Sequence, residues 1–245
     1  MGKPLVVMGN KRPKILFALF MVSVGCALIT STVHGQLNGK PFQQWTAREA
    51  EGLLSNSAWA QTRAGLLKVE GFDTSTEVVD SAVTIRLDSA LPLRQALARL
   101  KQLKNKYDQK SDRDKAAIDA KIKSLLECPE CGDSYVVTIR PGPESRNELP
   151  MFLERMTLAT LKLNVHIKNE KGETRELVKF VNPRFNGGDA MFVFSRFNAK
   201  GEPLVSPANR TLTVWFDQIF GWAKATVTKF EFDVPKMTIN GKVVF

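Results

Sequence analysis

The hydrophobic pattern of this chain changes period repeatedly. Residues 15–29 form an uncharged apolar block, preceded by Lys11, Arg12 and Lys14 and followed by small and polar residues at 30–35. That order of basic, apolar and small segments is the layout of a secretory signal. Residues 46–54 then read as a short helix. Thr46-Ala47-Arg48-Glu49 has the spacing of a capping box, in which hydroxyl and carboxylate each satisfy the other's backbone N–H. Ser55-Asn56-Ser57 breaks it, and Trp45, Leu53, Leu54 and Trp59 are the residues expected to dock this arm on the main body.

Val83, Ile85 and Leu87 alternate with Thr84, Arg86 and Asp88, the period of a half-buried strand. Ser89 and Pro92 suit a helix start. Leu93, Ala96, Leu97, Leu100, Leu103 and Tyr107 fall on one helical stripe, with Arg94, Arg99, Lys101, Lys104 and Lys106 covering much of the remainder as a solvated face. Ser111-Asp112-Arg113-Asp114 opens a second helix presenting Ile118, Ile122, Leu125 and Leu126, so the two form a helical hairpin. The tetrapeptide Val83-Thr84-Ile85-Arg86 recurs as Val137-Thr138-Ile139-Arg140, which places two similar strands on either side of that hairpin and in one sheet.

Beyond residue 140 the pattern predicts a short helix at 148–156. A strand is expected in which Leu161, Leu163, Val165 and Ile167 face one way and Lys162, Asn164, His166 and Lys168 the other. A Gly-containing turn follows at 169–173, with further strands at 175–181, 190–194 and 211–216. Asn240-Gly241 between Met237-Thr238-Ile239 and Lys242-Val243-Val244 predicts a hairpin with a type I′ turn. The expected fold class is α+β: an N-terminal arm and helical hairpin packed on a mainly antiparallel β-sheet or sandwich. The divisions are 1–35 signal peptide, 36–132 α-rich region and 133–245 β-rich region, the last two forming one body.

The arm and first helix carry a resemblance. Phe42, Trp45-Thr46, Glu49, Leu53-Leu54 and Ser57-Ala58-Trp59-Ala60, then Ile85-Arg86, Ser89-Ala90-Leu91-Pro92, Arg94 and Ala96-Leu97, with Phe232-Asp233 and Lys236-Met237 near the end, resemble a family of uncharacterised exported proteins from environmental bacteria. The resemblance implies export and fold continuity and carries over no catalytic residue.

Cleavage is expected between Gly35 and Gln36, with Val33 and Gly35 as the small or β-branched residues before the cut. Two rivals stand beside it: lipidation of Cys26 in a degenerate lipobox, and retention of 15–33 as an uncleaved anchor near the ~20 residues that span a bilayer. Export alters the charge picture. The whole chain carries 35 basic and 25 acidic residues; without Lys3, Lys11, Arg12 and Lys14, 31 face 25, and net charge falls from +10 to +6. This mild excess speaks of solubility and association with anionic surfaces. No nucleic-acid motif is present, and no second apolar run is long enough for a membrane span in the mature chain.

Cys128-Pro129-Glu130-Cys131-Gly132 is the local motif with reactive side chains. A closed zinc site needs four ligands, and only Cys128, Cys131 and His166 are at hand besides carboxylates, so zinc requires a second chain. Redox catalysis prefers a thiol at a helix N-terminus, whereas this motif ends a helix, where the dipole opposes a thiolate. A local disulfide in an oxidising compartment remains. No metal site, cofactor or catalytic constellation is expected. Trp215, Phe220 and Trp222 are candidate ligand-contact aromatics, able to stack on sugars or meet a partner, or to pack beneath a loop. The sequence therefore points to a non-enzymatic binding or scaffolding protein at the cell envelope, its partner an anionic polymer or another envelope protein. The competing class is an exported hydrolase of a glycan or peptide using paired carboxylates.

Overall fold

Complementary copies of one tetrapeptide form the centre of the larger sheet. In the computed structural model, β5 (Val83–Leu87) and β6 (Ser134–Pro141) pair antiparallel with Ile85 opposite Ile139, Thr84 opposite Arg140 and Arg86 opposite Thr138. Each Thr therefore meets the other copy's Arg, and the isoleucines share the opposite face. The structure describes residues 2, 40–63, 67–70, 76–79, 82–142, 153–216, 223–225 and 229–245, with backbone alone for 67–70, 76–79 and 223–225. The predicted signal segment, Cys26 and the Gly35/Gln36 cleavage site lie outside these residues.

Around β5 and β6 the sheet is completed by β1 (Asn56–Ser57), β2 (Ala60–Arg63), β9 (Leu177–Val181) and β10 (Ala190–Ser195), in the order β1-β2-β5-β6-β10-β9. A four-stranded sheet follows the order β13-β11-β7-β8, from β7 (Val165–Asn169), β8 (Thr174–Arg175), β11 (Thr211–Phe216) and β13 (Lys229–Asp233). Smaller sheets join β3 (Leu67–Glu70), β4 (Thr76–Val79) and β12 (Ala223–Ala225), and β14 (Thr238–Ile239) with β15 (Lys242–Val243). All described pairings are antiparallel. The β14–β15 turn has Asn240 at φ 49° and Gly241 at φ 72°, the two positive angles that a type I′ turn demands.

The two main sheets meet through aromatic rings. Phe180, Phe192, Phe216 and Phe230 form a chain with successive centroids 5.3, 5.7 and 6.3 Å apart, crossing from β9 and β10 to β11 and β13. Each such buried ring contributes about 1.5–3 kcal/mol through loss of apolar surface to water. At the β2–β13 side, Gln61 and Arg63 donate to the carbonyls of Glu231 and Lys229. The fold is α+β, and strands from both sequence halves share one sheet and one core.

Helix α1 (Ala47–Ser55) starts with the predicted capping box. Glu49 N–H donates to Thr46 Oγ1, and Thr46 N–H donates back to Glu49 Oε2 at 2.6 Å. Trp45, Leu53, Leu54 and Trp59 are all buried, and Trp59 Nε1 donates to the Val244 carbonyl at 2.8 Å, fixing the arm to the far end of the chain. Helices α2 (Leu91–Lys104) and α3 (Asp112–Glu127) form the hairpin. Ser111 caps α3, whereas Ser89 does not cap α2: its hydroxyl accepts from Val136 N–H, and Pro92 in the first turn sets the helix start.

Two expectations are corrected. Residues Leu158–Asn164 form helix α4, not the first half of a strand; Thr157 accepts from Thr160 N–H at its start. Local capping thus decides a stretch whose alternating pattern suits a strand, and Leu161 ends up buried while Leu163, two positions on, is 77% exposed. Of the helix expected at 148–156, residues 148–152 lie outside the described set, and Leu153 and Glu154 are helical. The second correction concerns α2: Arg94 and Arg99 are buried, not solvated. Their guanidiniums reach carbonyls of other elements, Leu126 for Arg94 and Trp45 for Arg99, and Arg99 also forms a two-pronged pair with Asp108 at 2.9 and 3.0 Å.

Candidate functional site

The outward face of the four-stranded sheet holds the one described member of the predicted aromatic set. On β11, Leu212, Val214 and Phe216 point into the core, so the strand period places Trp215 on the opposite face with Thr211 and Thr213, of which Thr213 is buried and the other two half-buried. Trp215 pairs with His166 on β7 and with Lys229 on β13. The imidazole stacks on the indole with centroids 4.6 Å apart and planes at 30°. Lys168 Nζ stands 4.5 Å from the indole centroid, in cation–π range. Lys229 pairs with Glu231 at 2.6 Å, and Lys229, followed by Arg63 and Lys168, holds the Glu231 carboxyl below its ordinary pKa. The result is an aromatic and cationic strip across three strands. Phe220 and Trp222 lie outside the described residues.

The opposite arrangement occurs on the face of the larger sheet away from Ile85 and Leu87, where charge is internally matched. Arg86 donates to Asp88 at 2.9 and 3.0 Å and to Asp189 at 3.0 Å. Arg140 grips Asp189 with two bonds of 2.8 Å. Burial opposes the Arg86 charge, but Asp88 and Asp189 outweigh it, and its pKa is raised. Asp189 arrives through the turn Asn186-Gly187-Gly188, in which Asp189 N–H donates to the Asn186 carbonyl. Two carboxylates do converge here, and both are engaged by guanidinium donors.

Cys128 and Cys131 are joined, with Sγ atoms 1.95 Å and Cα atoms 5.4 Å apart. Cys128 ends α3 in a left-handed conformation at φ 40°, and Cys131 is buried just before β6. The motif therefore sits at a helix-to-strand junction as a local disulfide. Comparisons with protein-family models, curated proteins and solved structures find no match for this chain. Among the described residues, no three His, Cys, Asp or Glu side chains gather as a metal centre would require, and no helix is long and apolar enough to cross a membrane.

Sequence reading singled out Trp215 but missed its neighbours as a group. His166 and Lys168 lie one strand away in space and 49 and 47 positions earlier in the chain. The available signal was that all three occupy polar-phase positions of strands whose other phase is apolar. The Arg86–Asp189 contact, spanning 103 positions, left no comparable local trace.

Proposed function

We propose that this is an exported, non-enzymatic protein that binds an anionic polymer at the cell envelope through the outward face of the four-stranded sheet. The observation that carries this reading is Trp215 flanked by stacked His166 and by Lys168 over its ring. An indole supplies a flat apolar surface for a sugar ring, and a neighbouring ammonium supplies the counter-charge for an acidic group on it. The signal layout of residues 11–36 and the resemblance to exported proteins support an exported compartment, and the net positive charge suits an anionic partner. The competing hydrolase reading gains nothing from Asp88 and Asp189: their oxygens accept from Arg86 and Arg140, so neither is placed to donate a proton or attack a sugar carbon.

Affinity electrophoresis through gels containing polygalacturonate, with neutral dextran as control, tests the binding. The chain should be retarded by polygalacturonate alone, and Trp215→Ala should weaken retardation at least fivefold, with Lys168→Ala following in the same direction. Equal mobility of all three proteins in both gels refutes the site. Intact mass of exported material tests the compartment, with a chain beginning at Gln36 expected.

A further inference from the structure

A second charged site lies at the junction of the hairpin and the larger sheet, where buried Arg94 and part-buried Arg196 have no ion-pair partner among the described residues. Arg94, 8% exposed in the first turns of α2, donates through Nη1 to the Leu126 carbonyl, while its buried Nε has no hydrogen-bond partner among the described residues. Arg196 follows β10 and donates its backbone N–H to the Asp133 carbonyl at 2.8 Å; its side-chain Nε and Nη2 are also buried, with no hydrogen-bond partner among the described residues. Leu126 and Asp133 bracket the disulfide loop, so the Arg94 side chain and the Arg196 backbone meet the same segment at its two ends.

Tyr135 completes the site. The Arg196 guanidinium lies 5.2 Å from its ring centroid and 5.7 Å from that of Phe245, so rings fix its position without satisfying its N–H groups. The Tyr135 hydroxyl accepts from Val205 N–H at 3.2 Å, which leaves its own proton available to donate. The start of α2 is anchored beside this tyrosine by the reciprocal bonds between Ser89 and Val136. Burial, and then the like charge of Arg196, lower the pKa of Arg94; burial also lowers that of Arg196, against the opposing pull of Tyr135 and Asp133. Neither arginine forms an ion pair among the described residues, whereas Arg86, Arg99 and Arg140 all do.

Buried charge without a partner is costly, and unfilled buried donors are rare in native proteins. Three such donors on two guanidiniums, with one phenolic proton beside them, need acceptors that an oxyanion supplies. Two positive charges with no ion-pair partner among the described residues favour a dianion over a monoanion. We infer that Arg94, Arg196 and Tyr135 form a binding site for a phosphate-class oxyanion, either free or as the terminal group of a small ligand. Arg196 is only part-buried and gives the site its solvent side.

The test is a titration of the full chain with inorganic phosphate, followed through the side-chain Nε–H resonances of Arg94 and Arg196, at ionic strength held constant with sodium chloride. Both resonances should shift saturably with one shared dissociation constant, and acetate should bind at least tenfold more weakly. Arg196→Met and Arg94→Met should each raise the phosphate dissociation constant at least tenfold while leaving the fold unchanged by circular dichroism. Linear, non-saturating shifts overturn the site, as does an unchanged phosphate response in both variants. Acetate binding as tight as phosphate overturns the dianion class. The wild-type titration decides the matter alone if a variant fails to fold.

Discussion

Arg86 and Arg94 stand eight positions apart, both buried, and their surroundings differ in one respect. Arg86 faces a sheet surface on which Asp88 and Asp189 accept from its fork. Arg94 faces a helix end and a second arginine, with one carbonyl as acceptor and Nε unfilled. A buried guanidinium whose donors are matched within the chain is part of the scaffold, whereas one left unmatched is a demand for something from outside. The residue type and the burial are common to both. The count of acceptors separates a structural role from a binding one.

The sharpest way to break the comparison is to remove an acceptor from the matched side. Asp189 serves Arg86 and Arg140 together, so Asp189→Ala strands half-exposed Arg140 and takes from buried Arg86 one of its two carboxylates, Asp88 remaining. The expected cost is about 3 kcal/mol, read as a lowered urea midpoint at unchanged slope. A loss under about 1 kcal/mol would mean that water replaces the carboxylate and that the network is not structural.

Next in size is the disulfide loop, held at one end by the Arg94 side chain and at the other by the Arg196 backbone N–H. Replacing Cys128 and Cys131 together with Ser removes a closure of very short span, worth at most ~2 kcal/mol on the chain-entropy account. Arg94 at the Leu126 carbonyl and Arg196 at the Asp133 carbonyl still brace the segment, so denaturant midpoints should fall modestly and polygalacturonate retardation should stay unchanged. A collapse of the fold would show that the disulfide, not the core, holds hairpin and sheet together.

Arg196→Met then probes the unmatched side for stability. Removing a part-buried charge that has no ion-pair partner among the described residues, in favour of an apolar side chain of similar length, should leave stability in phosphate-free buffer within about 1 kcal/mol of the parent, or raise it. Set against the loss from Asp189→Ala, opposite signs for two substitutions in buried charged groups would confirm the distinction by equilibrium unfolding. A penalty matching that of Asp189→Ala would erase it.

Much of the fold could be read in the residues because the relevant signals are local. The Thr46–Glu49 box, the Ser111 cap, the Asn240-Gly241 turn and the twin Val-Thr-Ile-Arg strands each depend on neighbours within a few positions or on period alone. Leu161 and Leu163 misled because alternation over four residues is also compatible with a short capped helix. A further local signal went unread: Asn198-Ala199-Lys200-Gly201-Glu202 repeats the pattern of Asn169-Glu170-Lys171-Gly172-Glu173. Both turns fold alike, each Asn side chain accepting from the Lys and Glu N–H groups and donating to the Glu carboxylate. Gly172 and Gly201 take φ 81° and 77°, which explains the shared glycine. The candidate sites were far less legible. Whether Arg94 is solvated or buried depends on Leu126, and whether it is matched depends on Arg196; neither can be inferred from the stripe on α2.

The smallest expected effect tests the comparison at the surface, where solvent can supply what the chain does not. Lys40 Nζ donates to both oxygens of Glu49 at 2.9 Å, and Thr46 N–H donates to one of them. Lys40 first, then the Thr46 N–H, lower the Glu49 pKa from 4.5 to about 2. A carboxyl whose pKa is depressed on folding adds stability above its unfolded value, and that stability is lost as pH falls through the folded value. The contribution of Glu49 is therefore complete above about pH 4.5 and disappears toward pH 2. Because both side chains of the pair meet solvent, screening reduces it to about 1 kcal/mol. Glu49→Gln should cost that amount at pH 7, and the gap between parent and variant should narrow by more than half between pH 5 and pH 3, measured by urea unfolding at each pH. A gap independent of pH would assign the loss to the cap's geometry and not to its charge. A gap as large as that from Asp189→Ala would contradict the premise that burial is what makes a matched charge costly to break.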